Sequence, residues 1–298
     1  MKTKLSYIIC FVGLIGFCGC SNTETESVTD NNVMRFEMVH PYQAISKAES
    51  RANDTGFDSG DRVGVYITTH DTPLLLAGNY VNNERIDFNG SSWIPARTIY
   101  WDNGNYDVMA YYPYQSVVSS VDDLPFSVAT DQTTTRSTTS LGGYEASDFL
   151  FAKKTTVAAS SSAVKLQYQH KMSRIVVRLI KGEDYEGDLP STAEVYIHNT
   201  VPTATIDLSA GVVTRYQYGT TQSIKAKSLG NNQYAAIIVP QRIDNSQPLI
   251  EVIAKGVSYL WESKFVFKPG IQHTVSLIID KNPEQVKIDI GGEIQNWQ

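Results

Sequence analysis

Ile175-Val-Val-Arg-Leu-Ile180 is the stretch on which the reading of the fold turns. Its β-branched density favours a strand, because Val and Ile lose rotamer freedom in a helix but pack well on a pleated surface. The same signature recurs upstream. Met34, Phe36 and Met38 alternate with Arg35 and Glu37 before Pro41, and short alternating runs follow at Val63-Val65-Ile67, Ile86-Phe88, Ile99 to Trp101, Val108 to Tyr112, Phe149 to Phe151 and Val164 to Tyr168. Downstream, strands are expected at Glu194 to His198, Thr203 to Leu208, Tyr234 to Val239, Leu249 to Ile253, Tyr259 to Phe267, Thr274 to Ile279 and Gln285 to Ile290. Asn89-Gly90 and Asn103-Gly104 supply the positive φ that tight hairpins need. No sustained helical period carries caps at both ends. Many short strands divided by turns predict an all-β protein of β-sandwiches with crossed connections. Ser160-Ser-Ser162 reads as slack between two such units, 33–160 and 161–298. Two polar stretches, Ser46 to Gly56 and Gln115 to Ser147, read as an exposed loop and a long surface excursion broken by a little structure at Leu124-Pro-Phe126.

The first twenty residues hold all three cysteines. Leu5 to Phe17 is apolar behind Lys2 and Lys4 but too short to span a bilayer comfortably, and small Gly19 precedes Cys20. Residues 1–19 therefore read as a removable lipoprotein signal with Cys20 as the acyl acceptor, and residues 20–32, poor in anything to bury, as a flexible tether. Removing the first 19 of the 298 residues leaves 279, enough for two ordinary domains with real cores. The one remaining thiol would carry lipid, so no disulfide braces the fold. Loss of Lys2 and Lys4 leaves 23 basic against 31 acidic side chains, a balance that argues against nucleic acid or anionic lipid as partner. Outer-membrane attachment then rests on acyl chains, each buried methylene contributing about 0.8 kcal/mol.

The residues do not spell an enzyme. His40, His70, His170, His198 and His273 are scattered without ligand spacing, and no nucleophile elbow, phosphate-binding loop or dinucleotide fingerprint occurs. No cofactor and no metal is expected. Asp58/Asp61 and Asp122/Asp123 are the acidic pairs to weigh for calcium or carboxylate chemistry, against the plainer role of Asp61 in fixing the turn into its strand. Trp93, Tyr100, Trp101, Tyr106, Tyr111, Tyr112 and Tyr114 crowd one region. Such rings pack strands together or stack on sugars. The second possibility defines the alternative function, a monomeric surface lipoprotein that binds glycans through Trp93 and Trp101.

Several separated segments carry a family resemblance. Phe57-Asp-Ser-Gly-Asp-Arg-Val-Gly-Val-Tyr66, the run Tyr100 to Tyr114, Asp131-Gln132 and Asp148-Phe-Leu-Phe-Ala152 resemble the fimbrillin family of Bacteroidetes, as do His170-Lys-Met-Ser-Arg-Ile175, Val239-Pro-Gln241, Phe267-Lys-Pro-Gly270 and Ile294 to Trp297. The resemblance implies two tandem transthyretin-like, Greek-key sandwiches in a palmitoylated surface lipoprotein of the fimbrium, partnered by other fimbrial subunits and possessing a host or bacterial receptor. It further implies removal of an N-terminal strand by an Arg-specific protease and its replacement by a strand of another subunit. Arg51-Ala52 is the matching bond here, since it lies in a polar loop, whereas Arg35 and Arg62 lie in or beside strands. Losing a strand that buries Met34, Phe36 and Met38 exposes an apolar groove, at about 1.5–3 kcal/mol per side chain, and unpaired backbone. Val286, Ile288 and Ile290 alternate as a replacement must, with Gly291-Gly292 as hinge; equally, they read as the last strand of the second sandwich.

Overall fold

The computed structural model describes residues 32–41, 56–282, 287–289 and 294–297. Strands dominate it, and the helix it contains among the described residues is the five-residue Gly143–Ser147. Ser173–Lys181, which includes the β-branched run, is a central strand paired antiparallel with Gln233–Ile238 and parallel with Ile271–Ile279. Burial on both faces explains its near-continuous apolar sequence. Lys227–Gly230 extends this six-stranded sheet at one side. At the other, Lys287–Asp289 and Ile294–Asn296 lie end to end along Ile271–Ile279.

A second six-stranded sheet, wholly antiparallel, runs in the order Trp93–Pro95, Val81–Phe88, Arg62–Thr69, Asn105–Tyr112, Leu150–Ala158, Gln169–His170. Gly90 (φ 97°) and Gly104 (φ 121°) make the turns expected of them. One face of this sheet buries Val63, Val65, Ile67, Val108 and Ala110 beneath a parallel pair, Phe36–Val39 with Val164–Gln167. That first core reaches past residue 160, through Val164, Leu166 and Tyr168. The opposite face, with Tyr66, Met109, Tyr111 and Phe151, belongs to the large core that also holds the C-terminal strands. A four-stranded sheet, Gln222–Lys225, Glu194–Thr200, Gln241–Ala254, Val257–Phe267, packs its inner face into the same core.

The stretch 115–147 carries the structure expected at Leu124-Pro-Phe126, but around it the chain is more buried than the expected surface excursion. Leu124–Ser127 pairs with Thr203–Asp207, tying the two halves of the chain through a three-stranded sheet, and Val121, Leu124, Phe126, Val128 and Tyr144 are buried. Polar composition misleads here because side-chain amides stand in for backbone. The Gln132 carboxamide accepts from the Ile237 N–H and donates to the Ile237 carbonyl, both at 2.8 Å, continuing a ladder where Lys227–Gly230 has stopped.

Candidate functional site: the N-terminal strand seam

Alternation places Met34, Phe36 and Met38 inward and Arg35 and Glu37 outward, and all three apolar side chains are buried in the first core. The segment is held along its length. At its start the Met34 N–H donates to the Ile99 carbonyl (2.8 Å) and the Trp101 N–H to the Asn32 carbonyl (2.7 Å). Phe36–Val39 then pairs with Val164–Gln167, and the Val164 and Tyr168 amides donate to Arg35 and Val39 carbonyls at 2.7 and 3.0 Å. The Tyr168 hydroxyl meets Met38 Sδ at 3.8 Å. The outward pair Lys165–Glu37 (3.2 Å) is largely solvated and contributes little.

Aromatic rings close the far end. His40, buried, meets Phe57 edge-on at 5.1 Å and His170 at 5.8 Å, while Phe57 contacts Trp93, Tyr112 and Tyr168 at 4.9–5.7 Å. Desolvation pushes the His40 pKa down to about 4, against the attraction of Asp148. His170 Nδ1 is 2.9 Å from Asp148 Oδ1, and its ring stacks on Trp297. Phe57 and His40 flank residues 42–55, so the two ends of that stretch meet ring to ring.

The structure describes some of the expected site residues and not others. Met34, Phe36 and Met38 line the seam. Cys20, Arg51 and Ala52 lie outside the described residues, as do Val286 and Ile290; Ile288 sits in Lys287–Asp289, paired antiparallel with Ser276–Ile278 of its own chain. Arg62 begins a central strand, and the Arg35 carbonyl is engaged by Val164. Trp101 is buried with its indole N–H donating to the Ser160 carbonyl (2.9 Å), and Trp93 packs between Phe57 and Phe88. Trp101 is thus taken up by the first core, while Trp93, half-buried against Phe57 and Phe88, keeps part of its surface exposed.

Asp61 does fix a turn. It is buried and accepts from Arg136 (2.7 Å), the Tyr112 hydroxyl (3.2 Å) and the Asp58 N–H (2.7 Å). Asp122 and Asp123 are exposed on a turn whose amides donate to Ser120 Oγ. Sheet pairing gathers His70, Asp71 and Asp107, which spacing alone does not reveal. There Asp107 accepts from His70 Nδ1 (2.8 Å) and the Thr156 N–H (2.9 Å), and that hydrogen bond raises the His70 pKa. No described helix is long and apolar enough to cross a membrane.

Sequence and structure together define an all-β fold of several sheets with a buried N-terminal strand. The chain belongs to the fimbrillin-like family, whose profile matches residues 50–297. A Bacteroides ovatus protein assigned as a fimbrium tip subunit, Fim1C, is 30% identical over 182 residues, which cover 56% of this chain and 33% of that protein. The chain thus spans about a third of the curated relative's length. Crystal structures assigned as cell adhesion proteins share the fold. One from Bacteroides uniformis has TM-score 0.67 at 18% identity, covering 89% of this chain and 98% of that one; one from Bacteroides ovatus has TM-score 0.63 at 18% identity, covering 89% and 97%.

Proposed function

We propose that this protein is a non-enzymatic subunit or adhesin of a surface fimbrium, delivered to the outer membrane as a lipoprotein acylated at Cys20. It assembles when an Arg-specific protease cuts Arg51-Ala52 and another subunit's strand replaces residues 32–41. The carrying observation is the seam: three large apolar side chains and the backbone of one strand fill a groove, and in sequence that strand leads on toward Arg51. A cut there leaves residues 32–41 held by non-covalent contacts alone and separates Cys20 from the folded body. Burial of Met34, Phe36 and Met38, at about 1.5–3 kcal/mol each, keeps the strand in place until a competitor offers equal burial. Leu124–Ser127, paired with Thr203–Asp207, ties the strands that form the groove to the C-terminal strands.

Limited digestion with an Arg-specific protease tests the reading. It expects release of a small N-terminal fragment followed by ladders on a denaturing gel run without boiling. A clipped chain that stays monomeric alone and with partner subunits contradicts it.

A further inference from the structure

The seam opens at one end into a cavity of about 550 Å³ bounded by Pro41, Gln167, Tyr168, Lys171, Val213 and Trp297. Both strands of the parallel pair run toward it. Pro41 stands two residues beyond the first, and Tyr168 to Lys171 continue the second. Among the described residues the cavity lining holds a half-buried cation and no acidic side chain. The Lys171 ammonium donates to the Gln169 side chain (3.1 Å) and lies 5.7 Å from the Phe151 ring centre, and among the described residues it makes no ion pair. Burial lowers its pKa, the mark of a charge short of compensation.

The sequence contains a segment whose spacing fits both features. Val286, Ile288 and Ile290 repeat the spacing of Met34, Phe36 and Met38. Superposing the three pairs puts Gly291 and Gly292 at the positions of Val39 and His40, and Glu293 at that of Pro41, on the cavity rim. Two glycines free the backbone to turn at the exit, as Pro41 turns the resident chain. In its own subunit Lys287–Asp289 pairs with Ser276–Ile278 alone along the described ladder, and because Glu293 adjoins Ile294 its departure also draws out the Ile294–Asn296 pairing and the buried Trp297, contacts that the exchange must offset.

We infer that this cavity is a carboxylate-docking site at the end of the seam, and that its occupant is Glu293 of a second copy of this chain, delivered against Lys171 when Val286–Ile290 of that copy takes the place of Met34–Met38. The inference rests on the strand-exchange reading above and adds its register: the apolar residues supply burial, and the charge pair forbids slippage by two.

The test uses full-length chain clipped with an Arg-specific protease, mixed with labelled peptides and followed by fluorescence anisotropy. One peptide has the sequence of Asn32–Pro41, one that of Gln285–Ile294, and a third is the latter with Glu293→Gln. The first two are expected to bind and the third about tenfold more weakly than its parent. Lys171→Met in the clipped protein should weaken the Gln285–Ile294 peptide to the same degree and leave the Asn32–Pro41 peptide unchanged, a control that also reports folding. Equal affinity of the Glu293→Gln peptide and its parent overturns the docking site while strand exchange stands, as does binding of the Asn32–Pro41 peptide alone. If no peptide enters the clipped chain, strand exchange and docking site both fall.

Discussion

His170 and Trp297 stack face to face, ring centroids 3.7 Å apart and planes 9° from parallel. The contact joins the last described residue of the chain to the strand end on which His40 also rests, with the Arg174 guanidinium 5.8 Å from the Trp297 ring. Trp297 is buried, and it anchors the short Ile294–Asn296 pairing along Ile271–His273. Replacing it by Ala is expected to destabilise the fold by about 3–5 kcal/mol. Hydrogen exchange at the amides of Ile271–His273 should accelerate before that of the central Ser173–Lys181 strand; unchanged exchange there would remove the anchoring role.

Phe36 is the middle of the three seam side chains, and Phe36→Ala should cost about 3–5 kcal/mol in urea unfolding of the uncut chain. The same loss loosens the resident strand. After clipping, the variant should exchange its N-terminal segment faster than the parent, as followed by release of a labelled fragment.

Protonation of His40 works against the seam. Its folded pKa is about 4 and an unfolded histidine titrates near 6.5, so the folded state holds fewer protons between those values and loses stability as pH falls from about 6.5 to about 4. The loss accumulates to about 3 kcal/mol and is complete below the folded value. His273 is also lowered by burial and titrates in the same direction, while His70 is raised and titrates oppositely. Subtracting the pH profile of His40→Gln from that of the parent, by chemical denaturation, isolates the His40 contribution. Parallel profiles would show that the ring is not held neutral.

Gln132→Leu keeps the volume and removes both partners of Ile237. Two buried backbone groups then lack a hydrogen bond, at about 1–3 kcal/mol each, and the denaturation midpoint should fall accordingly. Gln132→Glu can still donate to the Ile237 carbonyl only while its carboxyl is protonated, so that variant is expected to lose stability as pH rises and the buried group ionises.

The proposed cut at Arg51 and acylation at Cys20 together predict a membrane consequence. In vesicle-bound lipoprotein, digestion should move the folded body to the supernatant once its N-terminal strand exchanges, whereas Arg51→Lys with an Arg-specific protease should leave it in the pellet. Release without strand exchange, or retention after both, contradicts the proposed order.

Much of the molecule was legible in the residues because strand alternation is local. Met34, Phe36 and Met38 point to one side of an extended chain whatever lies around them, and Asn89-Gly90 favours its turn through its own backbone. Gln115 to Ser147 was not legible in the same way. Its polar residues predict solvent, yet Gln132 finds a strand to complete and Phe126 a core to fill, partners far along the chain that no local pattern names. The aromatic cluster was half legible: the crowding is plain, but only the sheet shows that Trp101 points inward and bonds Ser160. His170 and Trp297 stood out separately and gave no sign that they touch.

The amino-acid order alone determined strand content and the side each seam residue faces, since each follows from dihedral preference or period within a few residues. Tertiary structure decided which strands become neighbours: Phe36–Val39 with Val164–Gln167, Leu124–Ser127 with Thr203–Asp207, and a cavity around Lys171 at the end of the seam. Those pairings depend on burying apolar surface between distant segments, a free energy that exists only once the whole core is assembled.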